Sequence, residues 1–133
     1  MSAVKPLPPI VARAWDKPED FRLAETPIEP SGVVIAISGE LDIATAPELR
    51  RSMTAAIEAG ASRLVIDLCS VSFMDSVAMA AIIHARTQLA DGGRLAIVLD
   101  QDSYTRLVFE IAGLPRCLDL FETRDEAVAH VGR

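Results

Sequence analysis

The sequence predicts one α/β domain built on a mixed, mostly parallel sheet, and three observations carry that prediction. Leu64-Val65-Ile66-Asp67-Leu68 and Leu95-Ala96-Ile97-Val98-Leu99 are nearly continuous apolar runs, the pattern of parallel strands covered on both faces. Between them Ser76 to Ala90 reads as a helix closed by Gly92-Gly93, so the three segments form a strand-helix-strand crossover. The chain has 133 residues, 50% hydrophobic and 24% charged, which fills one core and leaves little for a second.

The remaining elements follow from local signals. Residues 1–19 carry Pro6, Pro8, Pro9 and Pro18 without helical or strand periodicity, and are read as a flexible arm ahead of a domain spanning 20–133. Phe21 to Glu25 alternates apolar and polar residues as an edge strand does, and Pro27 to Gly32 carries turn chemistry. Val33 to Ile37 is a second strand ending at Ser38-Gly39, so the pair reads as a hairpin. Thr45-Ala46-Pro47-Glu48 is a capping box with proline in the first turn; the helix it opens buries Leu49, Met53, Ala56 and Ile57 and stops at Gly60. Asp102 or Ser103 caps a third helix carrying Tyr104, Leu107, Val108 and Ile111, with Gly113 and Leu114 in the order of a Schellman stop. Leu118 to Phe121 is a short fifth strand. Thr123-Arg124-Asp125-Glu126 is a second capping box and starts a helix with Ala127, Val128 and Val131 on one side. The order is β-β-α-β-α-β-α-β-α.

Composition narrows the function. The net charge is -6 with no Lys/Arg cluster, so a phosphate backbone is repelled and nucleic acid is not an expected partner. The longest apolar stretch, Val77 to Ile83, is far short of the roughly 18 residues a membrane span needs. No secretory signal is visible in the first thirty residues, and a cytoplasmic location with no membrane partner is expected. Cys69 and Cys117 fit no metal or redox pattern and read as small core hydrophobes. His84 lies eight residues from Ser76 on one helix, about 12 Å along the axis, which refuses a Ser-His catalytic pair. His84 and His130 have no partners at metal-ligand spacing, no phosphate-cradling glycine loop is present, and no enzyme activity is expected.

In open α/β sheets, sites gather where the carboxyl ends of strands lead into helices. Two loops stand out there, Gly39-Glu40-Leu41-Asp42 and Ser72-Phe73-Met74-Asp75-Ser76. Asp75 is placed to cap the following helix and Ser76 falls in its first turn. At 100° per residue, Ala78, Ala81, Ile82, Ala85 and Leu89 form the sheet-facing stripe. Ser76, Ala80, Ile83 and Thr87 lie opposite, and Ile83 there has no evident core to enter. On position alone Ser76 reads equally as a helix-start hydroxyl, and Asp42 as a loop residue satisfying nearby N–H groups.

Gly39-Glu40-Leu41-Asp42, Phe73-Met74-Asp75-Ser76 and Phe109-Glu110-Ile111-Ala112-Gly113-Leu114, on this element order, resemble the STAS domain family, specifically the bacterial anti-sigma factor antagonists. The resemblance spans roughly residues 20 to 131 and implies the STAS fold. It implies that Ser76 is the phosphoacceptor and that Asp42 belongs to the neighbouring binding surface. The surface expected to meet a partner comprises Asp42, Asp75, Val77, Met79, Ala80 and Ile83. By resemblance, the dephosphorylated protein binds an anti-sigma factor that is itself a serine kinase of GHKL-type fold, and thereby frees a sigma factor. Phosphorylation ends the binding and a phosphatase restores it, with no cofactor and with the chain a monomer or weak dimer. A STAS scaffold or ligand-sensing module that does not cycle through phosphate is the alternative. The family usually has glycine and then leucine at the third and fourth residues after the aspartate, where this chain has Ala78 and Met79. Ala78 lies on the buried stripe, so the helix is expected to stand slightly farther from the sheet.

Overall fold

The computed structural model describes residues 21–89, 92–113 and 118–132, so the arm, Cys117 and the Leu114 contact lie outside the described residues. Five strands form one sheet in sequence order, β1 Arg22–Ile28, β2 Gly32–Leu41, β3 Arg63–Met74, β4 Arg94–Val98 and β5 Asp119–Phe121. β1 is antiparallel to β2, and every later pairing is parallel. The helices are α1 Ala46–Glu58, α2 Ser76–Gln88, α3 Tyr104–Ile111 and α4 Arg124–Val131.

The continuous apolar runs are explained by cover on both faces. Successive residues of a strand point to opposite sides. Ile35, Leu64, Ile66, Leu95 and Ile97 enter the larger core with Leu49 and Met53 of α1, Ile82 of α2 and Phe109 of α3. The alternate residues Val34, Val65, Ala96 and Val98 pack with Ala127 and Val131 of α4 on the other face. On that face Arg124 grips Asp67 through Nε and Nη2, at 3.0 and 2.9 Å from one carboxylate oxygen.

Several elements differ from the sequence reading. β1 continues through Pro27 to Ile28, so the turn is only Glu29 to Ser31; β1 is an edge strand, where proline's missing N–H is tolerated. β2 and β3 run far beyond Ile37 and Leu68, to Leu41 and Met74. Both supposed site loops are therefore strand ends for most of their length, with Glu40 opposite Phe73 and Leu41 opposite Met74. β4 reaches only Val98, opposite Asp67, so the last part of β3 pairs with β2 alone. Gly39 sits at φ +100°, next to a register irregularity between Gly39 and Glu40. That backbone region is open to glycine and strained for other residues.

The stop of α1 forms as the sequence predicts. Gly60, at φ +104°, gives its N–H to the Ile57 carbonyl while Ala61 reaches Ala56, a complete Schellman ending for α1. The Thr123 hydroxyl accepts the Glu126 N–H, as the capping box predicts. The Thr45 box does not form: its side chain makes no cap bond, and the Glu48 N–H goes to the Thr45 carbonyl. In α3, Ser103 rather than Asp102 is the cap, and the buried residues are Thr105 and Phe109. Tyr104, Leu107 and Ile111 are 59%, 50% and 78% exposed, because α3 turns its Thr105 side onto β3, where the hydroxyl lies 3.4 Å from the Val71 carbonyl.

Candidate functional site

Ser76 is the first residue of α2 and is exposed, and its hydroxyl makes no hydrogen bond among the described residues. Its position is set by Asp75, whose extended backbone ends β3 and whose carboxylate Oδ1 accepts the Val77 and Ala78 N–H groups at 3.0 and 3.2 Å. A carboxylate at this place satisfies two of the unpaired donors of the first turn and lies at the positive end of the helix dipole. The Asp75 N–H donates to the Leu41 carbonyl at 3.0 Å. One hydrogen bond thus joins the two strand ends and brings Asp42 and Asp75 to the same edge.

Asp42 is half-buried and turned inward through one oxygen. Its Oδ1 accepts from the Ala44 and Thr45 N–H groups at 2.9 and 3.1 Å, which closes the turn into α1. Its Oδ2 makes no hydrogen bond among the described residues. The loop-satisfying arrangement is therefore present, and it leaves a second carboxylate oxygen for solvent or a ligand.

The stripe of α2 is as expected: Ala78, Ala81, Ile82, Ala85 and Leu89 are all buried. Ala78 is fully buried on the sheet side. Val77 is 38% exposed and Ala80 is exposed. Met79 and Ile83 are both half-buried and packed against the main core, and for Ile83 this differs from expectation. The helix has a neighbour besides the sheet, for α1 packs against it and lends Leu49 and Met53 to the core on which Ile83 rests. Two further apolar residues, outside the expected partner surface, are exposed. Ile43, beside Asp42, is 76% exposed, and Phe73, two residues before Asp75, is 40% exposed. Alternation in Cys69-Ser70-Val71-Ser72-Phe73 was the available signal that the strand continues to the site.

Other polar groups lie apart from this edge. His84 is exposed on α2, and its carbonyl accepts the Thr87 hydroxyl. His130 Nε2 lies 2.9 Å from Asp119 Oδ2 and its ring rests on Phe121, with centroids 4.9 Å apart. Grooves of about 520 and 440 Å³ lie between β1 and the end of α1 and beside His130, and neither is lined by Ser76, Asp42 or Asp75. Among the described residues no group of three or more His, Cys, Asp or Glu is placed to hold a metal ion, and no helix is long and apolar enough to cross a membrane.

A family model described as the STAS domain matches residues 24–127. The chain belongs to the STAS domain family. Its relatives among known proteins carry regulatory names. The anti-sigma-F factor antagonist RsfB of Mycobacterium tuberculosis is 29% identical over 98 residues, 74% of this chain and 80% of that protein. The crystal structure of an anti-sigma factor antagonist from Mycobacterium paratuberculosis superposes with a TM-score of 0.78 at 26% identity, covering 87% of this chain and 97% of that one. The Bacillus cell fate determinant SpoIIAA, solved in its phosphorylated form, is similar with a TM-score of 0.63 at 29% identity, covering 83% and 99%. The STAS fold places Ser76, Asp75 and Asp42 of this chain at the carboxyl edge of its parallel strands, where α/β sheets carry their sites.

Proposed function

We propose that this STAS domain is an anti-sigma factor antagonist switched by phosphorylation of Ser76. The observation that carries the reading is an exposed serine hydroxyl at the first turn of α2, without a hydrogen bond among the described residues, on an edge shared with Asp75 and Asp42. Relatives named as anti-sigma factor antagonists, one of them solved in a phosphorylated form, support it. In this reading the dephosphorylated chain binds an anti-sigma factor with a GHKL-type serine kinase fold and releases a sigma factor. That kinase phosphorylates Ser76, and a phosphatase reverses the step. The chain is then substrate and switch rather than catalyst.

The physical logic is local. Phosphoserine adds about -1.5 to -2 charge at pH 7, beside Asp75 and on the edge that carries Asp42. The start of α2 favours that charge by about 0.3–1 kcal/mol, so the fold tolerates it. A partner covering Val77 and Ala80, the outer parts of Met79 and Ile83, and the exposed Ile43 and Phe73 has to desolvate the new charge. Without a matching cation this costs several kcal/mol, and about 4 kcal/mol is already a thousandfold in affinity.

The test begins with a pull-down from the source cell to recover the anti-sigma kinase, followed by incubation with ATP and mass spectrometry. Phosphate is expected at Ser76, with Ser76→Ala retaining the complex and Ser76→Asp weakening it. Equal binding by both variants overturns the switch. Persistent complex formation with no phosphate at Ser76 replaces it with a scaffold or ligand-sensing STAS module.

A further inference from the structure

Thr45 carries a hydroxyl that its own helix does not use. The residue occupies the N-cap position of α1, yet its side chain makes no cap bond and is only 4% exposed. A buried hydroxyl is unfavourable unless its hydrogen bonds are made. Here they are made backward along the chain. Oγ1 donates to the Glu40 carbonyl at 2.6 Å and accepts the Asp42 N–H at 2.9 Å. These two residues flank Leu41, and Thr45 therefore clamps the backbone on both sides of it. The Leu41 carbonyl between them accepts the Asp75 N–H at 3.0 Å, and Asp75 in turn caps the helix that begins with Ser76. The Asp42 carboxylate belongs to the same cluster, with Oδ1 on the Thr45 N–H at 3.1 Å and 3.2 Å from Oγ1.

We propose that Thr45 is a positioning residue that couples the Asp42 strand end to Ser76, its hydroxyl holding Leu41 in the one arrangement that meets Asp75. This rests on Ser76 as the switch residue and says how the state of that residue reaches Asp42. A phosphate at Ser76 pulls on the donors of the first turn of α2, including the groups Asp75 holds. Movement of Asp75 is passed through the Leu41 carbonyl to a backbone that Thr45 keeps in one piece with Asp42. Without the hydroxyl, the backbone torsions between Glu40 and Asp42 are free to absorb the movement.

The test uses the full chain with phosphoserine installed at position 76 by recoded translation, so that no kinase is needed, and reads backbone amide signals by NMR. In the wild type, phosphoserine moves the signals of Asp75, Asp42 and Ala44. In Thr45→Val the Asp75 response persists while the Asp42 and Ala44 response falls on the order of threefold, the loss of coupling between two sites. The same variant speeds exchange of the Asp75 amide by about tenfold while Ile97 in β4 is unchanged, the mark of local rather than global opening. Thr45→Ser, which keeps the hydroxyl, restores both. An undiminished Asp42 response in Thr45→Val, or no rescue by serine, overturns the proposal. Should Thr45→Val fail to fold, the wild type still decides, since Asp42 and Ala44 signals that ignore phosphoserine also overturn it. Absence of Ser76 phosphorylation by the recovered kinase defeats the proposed function and leaves this result standing.

Discussion

Cys69 shows how a single side chain is fixed by its neighbours. It lies half-buried on the α4 face of the sheet, where its backbone N–H donates to Asp67. Burial pushes its thiol from 9.0 up to about 12, and the carboxylates of Asp67 and Asp100 act in the same direction. The sign follows from proton linkage: below pH 9 both folded and unfolded chains hold the proton and the group contributes nothing to the pH dependence. Above it the unfolded thiol ionises while the folded one does not, so native stability falls as pH rises toward 12. In a Cys117→Ser chain, Cys69 is expected to alkylate at pH 8 at least about tenfold more slowly than a free cysteine, since the thiolate is the reacting form. Alkylation at the free-cysteine rate contradicts this. The sequence read Cys69 as a small core hydrophobe from its lack of partners at motif spacing, and Asp75 as a cap was equally legible, since a short acceptor before an apolar stripe has few other uses. Thr45 was not. Its spacing to Glu48 matches a capping box, and nothing in a one-dimensional pattern shows that Glu40 and Asp42 fold back to take the hydroxyl first.

Among the elements, α3 is where pattern and packing part company. Tyr104, Leu107, Val108 and Ile111 have helical spacing, but the helix meets the sheet through Thr105 and Phe109. Phe109→Ala is expected to cost about 3–5 kcal/mol in urea unfolding, as large-to-small changes in a sealed core do. Leu107→Ser and Ile111→Ser are expected to stay within about 0.5 kcal/mol of the wild type, as surface substitutions do. The reverse order of effects shows that α3 buries its other side in solution. Helix spans and stops were legible because caps and glycines are local signals. Strand ends were not, for the length of β2 and β3 depends on which neighbour each still has. The continuous run Leu64 to Leu68 marks the stretch of β3 that approaches or pairs with β4, and the alternating stretch after it marks the part that has lost that neighbour.

For the molecule as a whole, the proposed switch makes the net charge of -6 matter less than a local addition at Ser76. The modification sits at an exposed helix start that no buried group opposes, so phosphoserine at 76 is expected to change the free energy of unfolding by no more than about 1 kcal/mol. Denaturant unfolding of the modified and unmodified chains measures this, and a larger loss marks a switch that works by unfolding rather than by surface repulsion. The arrangement of helices on both faces of the sheet was readable from composition and apolar runs, because such cover leaves a direct imprint on the strands. The overhang of β3 has a further consequence for how such a chain can change over time. Beyond Asp67 the strand pairs with β2 alone and α3 rests on it through Thr105, 3.4 Å from the Val71 carbonyl, so the buried side of α3 is tied to the strand that leads to Ser76. The exposed side of α3, with Tyr104, Leu107 and Ile111, is not so tied and can drift in sequence and acquire new surfaces while the Ser76 edge keeps its geometry.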